Sequence, residues 1–300
     1  MATQLATQLS APSLAATLPP ERRPAEWPRS VIAPVNYLDP AGPRPVAYMY
    51  DPPPGTPLRT GNTVERRVAI EDLRAAKETL SLDVQGFALV PHATAVANFY
   101  DEAEIRQRYL AEAEEVVRDA TGAARVIAFD HNVRNGAKAG ESGVREPVRR
   151  VHNDFTARSG HTRARLELEA RGLAKDEIDR LLGHRFALVN LWRPIRGPVR
   201  DTPLALIDAR SIAPRDLVLQ DLVYRDRIGE TYAVTYNPAH RWFYAPAMQR
   251  DEALLIKVFD SDSTVARFSA HSAFDDPTAP AGAPPRESIE VRTLVLFAPA

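Results

Sequence analysis

"RFALVNLWRPI", residues 185–195, decides the fold. The run is short, apolar on both sides of its one asparagine and closed by a proline, so it reads as a strand. Five runs of the same character follow: "TPLALIDARSI" (202–212), "ETYAVTYNP" (230–238), "HRWFYAPAM" (240–248), "EALLIKVFDS" (252–261) and "IEVRTLVLFAP" (289–299). Pro, Asp and Gly turns separate them. Six such runs predict a mainly β core within an α+β chain: a double-stranded β-helix (jelly roll) or similar barrel, backed by helices from the first half.

The first half is mixed. "NFYDEAEIRQRYLAEAEEVVRDATGA" (98–123) predicts an amphipathic helix stopped at Gly122, and "RVIAFDHNVRN" (125–135) a strand. "HTRARLELEARGLAKDEIDRLLG" (161–183) predicts a helix broken near Gly172. Residues 66–90 read as a helix followed by a strand, with Ile70, Leu73 and Leu80 on one helical face. "GAKAGESG" (136–143) reads as a mobile loop. Half of the 26 prolines fall before residue 58, which suits an extended run rather than a helix. We therefore divide the chain into a proline-rich arm, 1–60, packed on the body through Trp27, Tyr37, Tyr48 and Tyr50, and one jelly-roll domain, 61–300.

Composition excludes several classes. The net charge of −1 and the lack of a basic stripe argue against a nucleic-acid partner. No apolar run approaches the roughly 18 residues that a membrane span needs. The N-terminal stretch lacks the charge and apolar core of a secretory signal, and a cytoplasmic location is expected. There is no cysteine, so thiolate chemistry, zinc–thiolate sites and iron–sulfur clusters are out. A metal here would be held by His, Asp and Glu, as Fe(II), Mn(II) or Zn(II) can be.

"VHNDFTARSG" (151–160) supplies the first two such residues. His152 and Asp154 alternate along an extended stretch, so both side chains can reach one point. A third ligand could come from His240 or His271. Context favours His271, because "PPRESIEVR" follows it and carries Arg286 and Ser288 into the last strand. A guanidinium beside a hydroxyl can grip a distal carboxylate. Arg292 lies an even number of residues beyond Arg286 and shares its face. His240, flanked by aromatics, reads as a packed histidine or pocket wall.

The ordered set of "FDHNVR", "VHNDFT", "NLWRPIRGPVRDTPLALID", "HRWFYAPAM", "DEALLIKVFDS", "HSAF" and "PRESIEVR" resembles the CmcJ–NvfI family of Fe(II)/2-oxoglutarate-dependent oxygenases over residues 125–297. That family is similar to the cephem methoxylation protein and to gibberellin-desaturase-like proteins of secondary metabolism. The resemblance implies His152, Asp154 and His271 as iron ligands and Arg286 and Ser288 at the 5-carboxylate of 2-oxoglutarate. It places Asn190, Trp192 and Arg193 on a strand lining the cosubstrate or substrate pocket. Arg292 is the alternative anchor should the insert "DDPTAPAGAPP" (275–285) not loop out. The implied reaction is oxidation of an unactivated C–H bond of a small molecule by O2, as hydroxylation, desaturation or cyclisation. Arg134, Arg158 and Arg193 would suit a carboxylate-bearing substrate, and the proline-rich arm a homodimer. Two alternatives stay open: an iron oxidase that does not use 2-oxoglutarate, and a non-catalytic jelly-roll partner of an enzyme pair.

Overall fold

The computed structural model describes residues 29–76, 80–137 and 144–299, with no side-chain description at Val144 and Arg145. Fifteen strands form two sheets. In chain order they are β1 (Ser30–Leu38), β2 (Val46–Tyr48), β3 (Thr63–Asp72), β4 (Phe87–Pro91), β5 (Arg125–Asn135), β6 (Val144–Arg145), β7 (His152–Asn153), β8 (Phe186–Pro194), β9 (Leu204–Ile207), β10 (Leu217–Val223), β11 (Ile228–Val234), β12 (Trp242–Tyr244), β13 (Glu252–Asp260), β14 (His271–Ala273) and β15 (Glu287–Leu296). One sheet has the order β1-β3-β12-β9-β14-β7-β11-β10-β2, and the other β4-β13-β8-β15-β5-β6. The arrangement is jelly-roll-like, and every predicted run in the second half contains one strand.

The smaller sheet is covered on both faces, which explains its apolar strands. Phe186, Leu188 and Trp192 face the other sheet and pack with Leu204, Leu206 and Phe243. Val189, Leu191 and Val291 face outward and pack with Tyr109, Ala113 and Val117 of the helical layer. That layer comprises α1 (Glu102–Glu104), a π turn (Ile105–Tyr109) and α2 (Leu110–Thr121), which ends at Gly122 with φ +66°. Two more helices, α3 (Ala157–Glu169) and α4 (Lys175–Leu182), are separated around Gly172, at φ +76°.

The helix predicted from residue 66 is not formed. β3 occupies this stretch and pairs with β1 along its whole length. Its more buried positions are Val64, Val68, Ile70 and Asp72, a period of two, and β-branched residues suit a pleated pairing surface. Asp72 then accepts a hydrogen bond from the Arg74 backbone and turns the chain into one 3-10 turn. Of the proline-rich stretch, residues 30–38 and 46–48 are strands of the larger sheet and Tyr37 is fully buried. Residues 1–28 and most of the predicted loop 136–143 lie outside the described residues.

α3 begins three residues after Asp154. Thr156 and Ser159 cap it reciprocally, and Gly160 lets it settle on β13. A Cβ at Gly160 would meet the Phe259 ring at 2.3 Å. Gly160→Ala is therefore expected to destabilise the fold by about 1–3 kcal/mol through overpacking, which denaturant unfolding would read as a lower midpoint.

Candidate metal centre

His152 and His271 face each other as an antiparallel pair between β7 and β14, with ring centroids 4.5 Å apart. Asp154 follows β7. Its position is set by Asn153, whose amide donates to the carbonyls of Phe155 and Val258 and pins the turn. Ligand atoms of His152, Asp154 and His271 all lie within 4.8 Å of one another.

Each ligand is held from behind. The His152 Nδ1–H donates to the Arg150 carbonyl at 2.8 Å, and the His271 Nδ1–H to the Ser269 carbonyl at 3.2 Å. These bonds fix the tautomer that leaves Nε2 as a lone-pair donor. Asp154 Oδ2 accepts from Asn190 Nδ2 at 2.8 Å and from Arg292 Nε at 3.3 Å. Oδ1 is left facing the histidines, 3.6 Å from His152 Nε2.

The electrostatics suit a cation. Burial pushes His152 down to about 4, and the neighbouring His271 adds to this. Burial also lowers His271. Both are therefore neutral ligands at physiological pH. Burial alone would raise Asp154, but the Arg292 guanidinium and the two histidines hold it well below the usual carboxylate range. Burial would likewise lower Arg292, and Asp154, Glu290 and Asp130 hold it firmly protonated.

The smaller sheet supplies the opposite wall. In register, β15 pairs Arg292 with Asn190 and Asp130, Glu290 with Trp192 and Asn132, and Ser288 with Pro194 and Arg134. Polar residues at alternate positions of β5 and β15, with Asn190 of β8, thus line one face. Asn190 and Arg292, both expected at the cosubstrate, bond Asp154. Arg292 also reaches Asp130 at 2.8 Å and Glu290 at 3.0 Å. Arg286 is 3 % exposed, lies over the Trp192 ring at 5.5 Å and donates Nη1 to the Thr202 carbonyl. Its Nε and the Ser288 hydroxyl are buried without a hydrogen-bond partner. Between His271 and Arg286 the insert loops out through two tight turns.

Two expected pocket residues lie elsewhere. Arg193 neighbours Trp192 in sequence and so points to the opposite face of β8. There it is fully buried, bonded to His92 Nδ1 at 2.9 Å and to the Arg250 carbonyl, beneath Phe99 and Tyr109. Arg158 sits on the first turn of α3, 78 % exposed and paired with Glu230. Arg134 does reach the cavity and donates to the Glu146 carbonyl at 2.6 Å. Asp130, Asn132 and Glu290 were missed. The alternation in "FDHNVRN" and "ESIEVR" carries them, polar at every second position inside apolar strands.

His240 is not near the cluster. Its ring is buried between Asp216 Oδ2, at 3.1 Å, and the Tyr37 hydroxyl, at 3.0 Å, and the Trp242 indole donates to the same hydroxyl. This network ties β1 to the body. His240→Ala is expected to lower the unfolding midpoint by about 2–5 kcal/mol of lost network, while metal affinity stays unchanged in equilibrium dialysis.

A cavity of about 630 Å³ opens onto His152 and Asp154. Another of about 660 Å³, by Phe155, Tyr232 and Phe268, touches none of the three ligands. No helix among the described residues is long and apolar enough to cross a membrane.

Comparison with known proteins agrees with this geometry. A family model described as "Oxidoreductase/YMDC permease-like domain" matches residues 35–296. The chain is 33% identical to the "Fe(II)/2-oxoglutarate-dependent dioxygenase nvfI" of Aspergillus novofumigatus (strain IBT 16806), over 83% of this chain and 89% of that protein. It is also 33% identical to the "Hydroxylase/desaturase efuI" of Hormonema carpetanum, over 77% of this chain and 83% of that one. Among solved structures, the "iron and alpha-ketoglutarate-dependent endoperoxidase NvfI" matches with a TM-score of 0.78 at 29% identity, covering 90% of this chain and 99% of its own.

Proposed function

Because this chain belongs to the Fe(II)/2-oxoglutarate-dependent dioxygenases of the nvfI type, we propose that it oxidises an unactivated C–H bond of a small molecule in secondary metabolism. Hydroxylation, desaturation and ring closure are the outcomes open to it. The observation that carries this reading is the convergence of two neutral imidazoles and one carboxylate within 4.8 Å, each with its far side already bonded. Two histidines and a carboxylate, with coordination positions to spare, is the donor set of non-haem Fe(II) oxygenases.

His152, Asp154 and His271 would hold Fe(II). Arg286 and Ser288 would receive the distal carboxylate of 2-oxoglutarate. The fit rests on chemistry: a buried guanidinium with a spare Nε–H, and a buried hydroxyl, match a carboxylate in charge and in hydrogen bonds. When bound, iron with 2-oxoglutarate and O2 supplies the oxidising power that side chains lack. The protein's own residues position and shield. Asn190 and Arg292 keep Asp154 ionised and oriented. The backbone carbonyls of Arg150 and Ser269 keep both imidazoles in one tautomer. Trp192 gives Arg286 a flat apolar seat away from bulk water. Activity is expected as slow succinate formation from 2-oxoglutarate with matching O2 consumption when Fe(II) is added, even without a substrate. No succinate under those conditions, together with no anaerobic visible band from Fe(II) and 2-oxoglutarate, would remove the reading.

A further inference from the structure

We propose that Arg59 and Arg150 form an anion subsite in the substrate cavity, which takes the carboxylate of an otherwise apolar substrate. The inference rests on the oxygenase reading for the word substrate, but its geometry is independent of iron. The cavity volume of about 630 Å³ suits a small organic molecule. Its lining includes His152, Asp154, Arg134 and Arg292, together with apolar wall from Met49, Leu58 and Leu222.

Charge in this cavity is one-sided. Among the described lining residues, Arg59, Arg134, Arg149, Arg150 and Arg292 face two acids, Glu146 and Asp154. Three of the arginines are engaged. Arg292 holds Asp154, Asp130 and Glu290; Arg149 pairs with Asp275; Arg134 donates to the Glu146 carbonyl. Neither Arg59 nor Arg150 has an ion pair or a side-chain hydrogen bond with any described residue, yet the two lie close enough to repel each other. Arg150 alternates with His152 and Asp154 along the chain and so shares their side. Arg59 arrives from the N-terminal region, where its backbone bridges to Ala47 beside β2. Two half-exposed or exposed guanidinium groups beside an apolar wall, with no acid to pair them, make a fork for a planar anion.

The test measures binding of 2-naphthoate and its neutral counterpart 2-naphthamide to the full chain by equilibrium dialysis, without metal. Naphthoate is expected to bind at least about tenfold more tightly, through charge-assisted bonds, with a preference that shrinks in salt. Arg59→Gln and Arg150→Gln should each reduce that preference and the double variant abolish it. Arg59→Lys should keep part of it, and Arg118→Gln, on the exposed end of α2, all of it. No preference for naphthoate, no binding of either compound, or a preference that survives in the double variant would overturn the subsite. The anaerobic Fe(II)–2-oxoglutarate band separates the two readings. A band intact in the double variant supports a substrate role; a band lost only there means the pair holds 2-oxoglutarate and overturns the proposal. A band absent from the wild-type protein removes the oxygenase reading and leaves the naphthoate result standing as the test of the anion subsite.

Discussion

His152→Ala and His271→Ala are each expected to abolish the visible charge-transfer band of Fe(II) with 2-oxoglutarate under anaerobic conditions, and to take turnover to background. The effect is larger than the roughly 10–100-fold loss of metal affinity that follows removal of an outer partner. The reason is that neither imidazole has a substitute. Among the described residues, one group of His, Asp and Glu side chains can gather on a metal, and it is this one. His240 is committed to Asp216 and Tyr37. Asn190→Ala serves as the graded comparison. It leaves all three ligands but removes the 2.8 Å bond that orients Asp154. The expected outcome is metal affinity down by roughly 10–100-fold, with the band recovered at higher Fe(II). Dialysis against Mn(II), alongside the anaerobic spectrum, checks both. A His271→Ala protein that still shows the band would mean that the centre has been assigned to the wrong histidine.

Why the His152–Asp154–His271 cluster could be read from sequence while its surroundings could not is a matter of distance along the chain. His152 and Asp154 are two residues apart, so local strand geometry alone brings them together. β8, β13 and β15 stand out because both faces of their sheet are covered, which makes the runs apolar throughout. β14 is three residues long and β7 two, too short for any periodic signal, although they carry the two imidazoles. The helix expected at 66–80 came from Ile70 and Leu73, whose spacing fits a helix as well as a strand turning into a 3-10 turn. Arg193 was placed beside Trp192 in the pocket against the alternation that the same strand imposes. Arg59 and Arg150 had no signal at all. They meet only because the chain after β1 returns to the larger sheet, where β2 pairs in parallel with β10.

Arg286→Gln is expected to raise the concentration of 2-oxoglutarate needed for half-maximal turnover by about 100-fold, within the 2–5 kcal/mol expected when one partner of a buried charged pair is removed. The iron affinity of the same variant is expected to stay unchanged. Arg286 and Arg292 are both deeply buried, but their charges are balanced differently. Arg292 touches three carboxylates. Arg286 has no ion pair among the described residues, and burial, with Arg134 nearby, pushes it down to about 9. A buried cation in that state gains most from an incoming anion, and the dicarboxylate cosubstrate supplies one. Ser288, on the same face of the last strand and without a partner of its own, can bond the second carboxylate oxygen. Arg286→Lys should recover part of the affinity, since it restores the charge but not the planar fork. Arg292→Gln is expected to give the opposite pattern. It strips Asp154 of its main counter-charge, so metal binding weakens first and the cosubstrate effect follows from that. A pair of titrations, Mn(II) by dialysis and 2-oxoglutarate by the visible band at saturating Fe(II), separates the two arginines. If Arg292→Gln changed only the 2-oxoglutarate titration and Arg286→Gln changed neither, the anchor would be Arg292, and the loop from 275 to 285 would have misdirected the assignment.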